Sequence, residues 1–240
     1  MRFYIIFISI CLITANRCFS QTCVIAKITY SGRDTSIVIG ADTKFNNYVL
    51  NKKTNEFDTT VFYAHKLFNR GKITYATIGY GPEVQRRVAD SVCRLNLSVN
   101  STYIIYFHEY KRQLLLYLQD IKKHSLKLYN RVLAKNQPYI SQTIFAGFDH
   151  GRPFLLHLLF SVSPFYGIDM QTENGPLAAA GDLDAIQSAL DMDKTWAGGT
   201  LAGIRKLLKM EAIARPDKVG PPFEFYIIHK TKAETLTYKQ

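Results

Sequence analysis

The order of elements along the chain predicts an α+β protein, a four-layer α/β/β/α sandwich of two packed, mainly antiparallel sheets with helix pairs outside. Three observations carry this prediction. Alternating, β-branched runs fill the first third of the chain, and segments with helical spacing follow them. The second half then repeats strands and helices before it ends in a hairpin. No linker or repeat interrupts residues 21–240, so we expect one domain there.

An apolar run at 3–15, behind a short basic start, has the length expected of a signal-peptide core. Cys18 and Ser20 are small enough for the positions three and one before a cleavage point, which favours a cut after Ser20 and permits one after Gln21. We therefore expect the leader to be removed by a cut after residue 20 or 21, and the protein to be secreted or periplasmic, without a stable membrane span after cleavage. A cut after Gln21 leaves Thr22 first, whereas a cut after Ser20 leaves Gln21 first. An uncleaved membrane anchor is the alternative.

The strands and turns of the first third are identified by β-branched runs around glycine-containing turns. Strands are predicted at 22–31 and 35–42 around the turn at 32–34, and at 61–67 and 72–78 around the turn at 69–71. The polar stretch at 43–58 is interpreted as a long loop or a ragged hairpin. Gly79 to Pro82 breaks the last of these strands, and Pro82 suits the first turn of a helix.

The remaining elements follow from the change of hydrophobic period. Helices are predicted at 83–95 and 101–135, strands at 141–148, 152–160, 164–169 and 177–180, helices at 183–192 and 195–214, and a closing hairpin at 223–229 and 233–238. The aromatic and leucine content of 101–135 is typical of a core stripe rather than of a ligand site.

The formal charge of +11 falls to +9 when the leader, which carries Arg2 and Arg17 and no acid, is removed. Basic pairs are scattered over separate segments, and no nucleic-acid-binding module accompanies them. We therefore expect no nucleic-acid partner. The six histidines show no metal-ligand spacing.

Thr22 is the candidate nucleophile, because a threonine that becomes the first residue can use its own α-amine as the base for its hydroxyl. Such a site also needs a cation, a carboxylate to hold it and a backbone N–H for the oxyanion. Asp42 ends the second strand, Lys66 sits in the third, and Gly79 ends the fourth. These positions place the three groups at strand ends.

The chain resembles the proteasome β-subunits, which are N-terminal nucleophile hydrolases, in the order and spacing of four short motifs. These are Ile39-Gly40-Ala41-Asp42-Thr43-Lys44, His65-Lys66-Leu67-Phe68 followed by 73–81, Ile144-Phe145-Ala146-Gly147-Phe148-Asp149 followed by 153–159, and Gly220-Pro221-Pro222. The resemblance spans nearly all of the chain after the leader.

The resemblance implies amide hydrolysis through an acyl ester on Thr22, whose freed amine accepts the proton. It implies that Asp42 orients Lys66, that Lys66 lowers the pKa of the hydroxyl, and that the Gly79 N–H binds the oxyanion. A peptide or small amide would be the substrate, without metal or cofactor, and a homo-oligomer is a further expectation.

Three departures from the family pattern keep a second hypothesis open, a catalytically inactive fold that serves as a binding or structural protein. Ala179-Ala180-Gly181-Asp182 stands where the family has Gly-Ser-Gly, and Val219 falls near a second family serine. The bond before the threonine is Gln21-Thr22 rather than Gly-Thr. Cys23, exposed by a cut after Thr22, is an alternative nucleophile, although strand packing suits it better.

Overall fold

A computed structural model of the chain describes residues 18–20, 22–31, 34–51, 53–54, 56–134, 139–163 and 167–238. Several parts of the sequence predictions lie outside these residues: leader residues 1–17, Gln21, the turn residues 32–33, positions 52 and 55 of the polar stretch, the helix end at 135 and the strand start at 164–166.

Thirteen strands in the described part of the chain form two antiparallel sheets. They are β1 (Cys18–Ser20), β2 (Cys23–Ser31), β3 (Asp34–Asp42), β4 (Lys44–Asn51), β5 (Glu56–Tyr63), β6 (Leu67–Arg70), β7 (Ile73–Tyr80), β8 (Ser141–Asp149), β9 (Arg152–Val162), β10 (Ile168–Asn174), β11 (Leu177–Gly181), β12 (Phe223–Ile228) and β13 (Ala233–Tyr238). The eight-stranded sheet has the order β10-β9-β8-β7-β1-β4-β5, with β6 paired to β7. The five-stranded sheet has the order β11-β2-β3-β12-β13.

Six helices are present among the described residues. They are α1 (Pro82–Cys93), α2 (Val99–His124), α3 (Leu126–Ala134), α4 (Gln187–Leu190), α5 (Asp193–Trp196) and α6 (Thr200–Ala214). The predicted helix over 101–135 is two helices, because Ser125 leaves the helical conformation and its hydroxyl accepts the Leu128 amide at 3.2 Å, as an N-cap does. The helix predicted at 183–192 shrinks to the single turn of α4.

Three hydrophobic cores separate four layers, which confirms the predicted α/β/β/α sandwich. The first core lies between α1–α3 and the eight-stranded sheet, the second lies between the two sheets, and the third lies between the five-stranded sheet and α4–α6. Strand β2 shows the alternation directly: Val24 and Ala26 face the other sheet, whereas Cys23 and Ile25 face the helices.

The hairpin interpretation of the polar stretch at 43–58 is correct, whereas the bounds of two predicted strands were wrong. The stretch forms most of a hairpin in which β4 pairs with β5 over eight residue pairs, Lys44↔Tyr63 to Asn51↔Glu56. The strand predicted at 61–67 is therefore divided between β5 and β6. Of the strand predicted at 164–169, residues 164–166 lie outside the described residues, and β10 extends beyond the predicted end, from Ile168 to Asn174, paired with β9.

The two cysteines that would remain after leader removal are free and buried, Cys23 in the helix-side core of the small sheet and Cys93 in the core beneath α1. The two cysteines lie in different cores and form no disulfide with each other. Burial raises the pKa of the Cys93 thiol to about 12. Within the described ranges, no helix combines the length and apolar character needed to cross a bilayer.

Candidate functional site

Thr22 and Asp42 meet because they flank the same end of the β2–β3 pair. Thr22 directly precedes β2, and Asp42 is the last residue of β3, one position beyond the Val24↔Ala41 pair. The Thr22 hydroxyl donates to Asp42 Oδ1 at 3.2 Å, and the Cys23 amide donates to the same oxygen at 2.8 Å. Both side chains are fully buried.

Lys66, which directly precedes β6 of the eight-stranded sheet, completes the group. Its Nζ donates to Asp42 Oδ2 at 3.0 Å and to the carbonyl of Lys44, and it lies 4.5 Å from the centroid of the Phe45 ring. One buried carboxylate thus holds the threonine hydroxyl on one oxygen and the lysine ammonium on the other. Such a bridge holds the cation and the hydroxyl on the two oxygens of one carboxylate.

The Asp42–Lys66 ion pair carries a large desolvation cost, because both residues are 0% exposed. Burial raises the pKa of Asp42, while the Lys66 charge and the hydrogen bonds from Cys23, Lys66 and Thr22 oppose that rise. Burial lowers the pKa of Lys66, while Asp42 opposes the fall. A buried lysine in this state keeps its charge only through its partner, so the pair acts as one unit.

The main chain of Thr22 is held by β11. Its carbonyl accepts the Asp182 amide at 2.7 Å, and Gly181 pairs with Cys23 in the β11–β2 ladder. The Asp182 carboxylate is bound by Lys218 Nζ at 2.5 Å and lies 3.4 Å from Arg215. Residues 179–182, which stand where the resembling family has Gly-Ser-Gly, therefore bind the main chain of Thr22 through the backbone amide of Asp182.

Gly181 is expected to be intolerant of substitution. Its φ is +96°, and a Cβ built on it would lie 1.7 Å from the Thr22 carbonyl oxygen. Gly181→Ala must therefore either displace Thr22 or unpair β11 from β2. We expect a loss in the free energy of unfolding well beyond the 1–2 kcal/mol or so that a left-handed alanine costs, measured by urea denaturation.

Gly199→Ala is the matched control for this prediction. Gly199 has a similar φ of +90°, but nothing lies within 4 Å of its Cβ position. The control therefore isolates the conformational penalty from the collision. Equal losses in Gly181→Ala and Gly199→Ala would show that the contact with Thr22 does not constrain the chain.

Gly79 belongs to the eight-stranded sheet, at the penultimate position of β7. It pairs with Ser141 of β8 on one side and with Ser20 of β1 on the other. Its φ is +94°, and a Cβ would come within 2.6 Å of the Ile140 carbonyl oxygen, so glycine is required there. Strand β1, which belongs to the expected leader, thus pairs with the part of β7 that contains Gly79, the residue predicted to donate to the oxyanion.

The structure joins three of the four predicted site residues through hydrogen bonds, namely Thr22, Asp42 and Lys66, and places Gly79 beside the leader strand. One placement was wrong: Lys66 is not in a strand but ends the connection at 64–66 that precedes β6. The alternative nucleophile Cys23 packs with its side chain in the helix-side core, and burial raises the pKa of its thiol well above the usual range.

Two residues near the site were missed by the sequence analysis. Asp182 was noted only as a departure from the family pattern, although its amide holds Thr22. Glu224 attracted no attention, yet it binds the backbone of Lys66. A signal for Glu224 exists in the sequence, since a lone acid interrupts the apolar run of β12. Val219, which stands near the second family serine, is buried among apolar side chains.

No family model matches the chain, and no curated protein matches it. Among solved structures, the chain is similar to Anbu from Hyphomicrobium sp. strain MC1, with 15% sequence identity over 90% of this chain and 88% of that chain, and a TM-score of 0.46. The fold described above rests on the sheets and cores themselves.

Proposed function

We propose that this protein is a secreted, proteasome-like N-terminal threonine hydrolase that cuts amide bonds after its leader has been removed. The observation that carries the proposal is the buried carboxylate of Asp42, which binds the hydroxyl of Thr22 at 3.2 Å and the ammonium of Lys66 at 3.0 Å. A nucleophile, a cation and the acid that holds both are thus assembled at one point.

The chemistry begins when cleavage before Thr22 frees its α-amine. The amine takes the hydroxyl proton, directly or through a water, as Oγ1 attacks the carbonyl carbon of the scissile amide. The positive charge of Lys66 favours the forming alkoxide, and the Gly79 N–H would stabilise the oxyanion. Collapse breaks the C–N bond, the amine product leaves with the proton, and water hydrolyses the ester on Thr22.

The leader strand suggests the form of the substrate. Strand β1 lies between β4 and β7, pairing Phe19 with Asn46 on one side and with Tyr80 on the other. Neighbouring strands lie about 4.8 Å apart, so removal of β1 would leave a gap one strand wide. An extended peptide adds to such edges through main-chain hydrogen bonds. A peptide is therefore the substrate class that the gap favours.

The uncut chain is inactive in this proposal. The nitrogen of Thr22 is part of a peptide bond, its hydroxyl is bound to Asp42, and its side chain is fully buried. Removal of the leader would supply the amine and open the gap in one event. Assembly into a homo-oligomer is a further part of the proposal, which the family resemblance motivates.

A binding protein without catalysis is the second candidate function. Residues 179–182 offer Thr22 the amide of Asp182 and no hydroxyl, and Val219 is apolar. The two serine hydroxyls that the resembling family has at these positions therefore have no counterpart in this chain. If cleavage leaves Gln21 first, Thr22 keeps its peptide nitrogen and has no base. The gap left by β1 would then bind an extended peptide without cutting it.

Two matched proteins test the function. One begins at Thr22 and the other at Gln21, each released from a fusion tag that leaves the chosen first residue. On a library of fluorogenic peptide amides, we expect hydrolysis by the Thr22-first protein and none above background by the Gln21-first protein, because only the former has the free amine. Hydrolysis at equal rates, or by neither protein, would contradict the proposed mechanism.

A further inference from the structure

The backbone of Lys66 is held by a side chain rather than by a strand. Residues 64–66 connect β5 to β6 outside the ladders, and the Ala64 amide donates to the Thr43 carbonyl at 3.0 Å. The Lys66 amide donates instead to Glu224 Oε1 at 2.5 Å. The position from which the lysine side chain starts therefore depends on this carboxylate.

Glu224 contacts three consecutive residues. Its Oε1 also accepts the Leu67 amide at 2.8 Å, and its Oε2 lies 2.8 Å from His65 Nδ1. The residue is only 2% exposed, between two phenylalanines of β12, whereas the His65 side chain is 80% exposed. A buried carboxylate that accepts two amide bonds and has an imidazole nitrogen within hydrogen-bond distance is well satisfied, and charge-assisted bonds to amides are stronger than neutral ones.

Two adjacent strands of the five-stranded sheet therefore hold Lys66 at its two ends. In the β12–β3 register, Phe223 pairs with Asp42 and Glu224 pairs with Ala41. Asp42 binds the ammonium, and Glu224 binds the amide of the same residue. Because both acids belong to one sheet, the backbone amide of Lys66 and its Nζ are held in a fixed position relative to each other.

We propose that Glu224 is a positioning residue for Lys66: its carboxylate anchors the backbone at 65–67 and thereby keeps the ammonium on Asp42, beside the Thr22 hydroxyl. This inference rests on the proposed hydrolase function. Glu224 itself touches neither the substrate nor the reacting atoms. Its effect on the reaction passes through the placement of one cation, and misplacement of a catalytic group by about 1 Å can lower a rate about 10²-fold.

A merely structural role for Glu224 predicts a different result from a positioning role. Loss of a buried anchor lowers stability in either case. Only the positioning role predicts that the folded variant has a lower kcat with an unchanged KM, because the substrate gap is intact while the lysine has shifted. The two roles are therefore separated by kinetics measured on folded protein.

Three variants of the Thr22-first protein make the test. In Glu224→Ala we expect kcat to fall on the order of 10²-fold with KM unchanged. Glu224→Gln retains an oxygen that can accept both amides, so its kcat is expected to stay close to that of the parent protein. His65→Ala keeps both amide bonds and is expected to leave kcat unchanged. A folded Glu224→Ala with unchanged kcat, or His65→Ala with an equal loss, would overturn the proposal.

A second measurement does not depend on activity. In protein labelled with ¹⁵N-lysine, the Nζ signal of Lys66 is assigned by its absence from Lys66→Arg. We expect this signal to move in Glu224→Ala and to remain in place in His65→Ala. If the parent protein hydrolyses nothing, the proposed function fails while the Nζ signal still decides the positioning role. An unmoved signal in Glu224→Ala would refute it.

Discussion

Replacing Lys66 with methionine is expected to lower the free energy of unfolding by about 3–5 kcal/mol. The ammonium is the one cation bonded to Asp42 among the described residues, and both side chains are fully buried. Without it, the carboxylate keeps the Thr22 hydroxyl and the Cys23 and Lys44 amides as donors but loses its compensating charge. Urea denaturation of variant and parent protein measures the loss.

Two further variants show whether the loss comes from the unpaired charge. Asp42→Asn combined with Lys66→Met removes both charges, so the double variant is expected to be more stable than Lys66→Met alone. Lys232→Met disrupts an exposed pair with Glu234 and is expected to leave the unfolding midpoint unchanged. A Lys66→Met protein as stable as the parent would mean that the pair does not hold the site together.

The loss in Lys66→Met is expected to shrink as the pH falls. Burial already raises the pKa of Asp42 and Lys66 opposes that rise, so removal of Lys66 raises the pKa further. An acid whose pKa is raised in the folded protein binds more protons in the folded state than in the unfolded state. The stability of the variant therefore rises as the pH falls from the raised pKa to the ordinary aspartate value of about 3.9. Denaturation of Lys66→Met at several pH values tests this sign.

Thr22→Ala is expected to lower kcat of the Thr22-first protein by about 10⁴-fold or more, the scale seen when a hydrolase loses its nucleophile. The alanine retains the α-amine but has no oxygen to form the acyl ester. Thr22→Ser keeps both the amine and the hydroxyl, so substantial activity is expected to remain. The hydrolysis of a fluorogenic peptide amide gives the rates.

A covalent trap provides the companion measurement for this prediction. An electrophilic peptide analogue should add its mass to the peptide that contains Thr22, and nothing should be added in Thr22→Ala. Both variants must first match the parent in unfolding midpoint, since Thr22 also donates to Asp42. Unchanged amidase activity in Thr22→Ala would remove Thr22 from the mechanism.

The layered architecture could be predicted because each core leaves a periodic trace in the sequence. Strand β2 alternates between the inter-sheet core and the helix-side core, and the apolar stripe of α2 gives a clear helical period. The sequence left the β4–β5 region open between a loop and a ragged hairpin because this trace is absent there. Its strands carry polar residues such as Asn46, Thr59 and Thr60, and the last two are exposed, so no face shows the alternation of a buried strand.

The site was predictable where it lies at strand ends and unpredictable where it depends on long-range contacts. Thr22 and Asp42 are placed by one hairpin, so their proximity follows from local sequence. Lys66 was assigned to a strand because the apolar run on either side looks continuous. Its amide leaves the ladder to bind Glu224, 158 positions away, and no local pattern encodes that contact. The sequence marks Glu224 as a lone acid in an apolar strand, but that pattern does not indicate which residue it binds.

The role of Thr22 is decided first by the intact mass and N-terminal sequence of the protein exported from a secreting host that expresses the full chain. We expect a chain that begins at Thr22, with a free amine and with its hydroxyl on Asp42. A chain that begins at Gln21, above all as pyroglutamate, or one that retains its leader would contradict this expectation, because Thr22 would then have no amine with which to act.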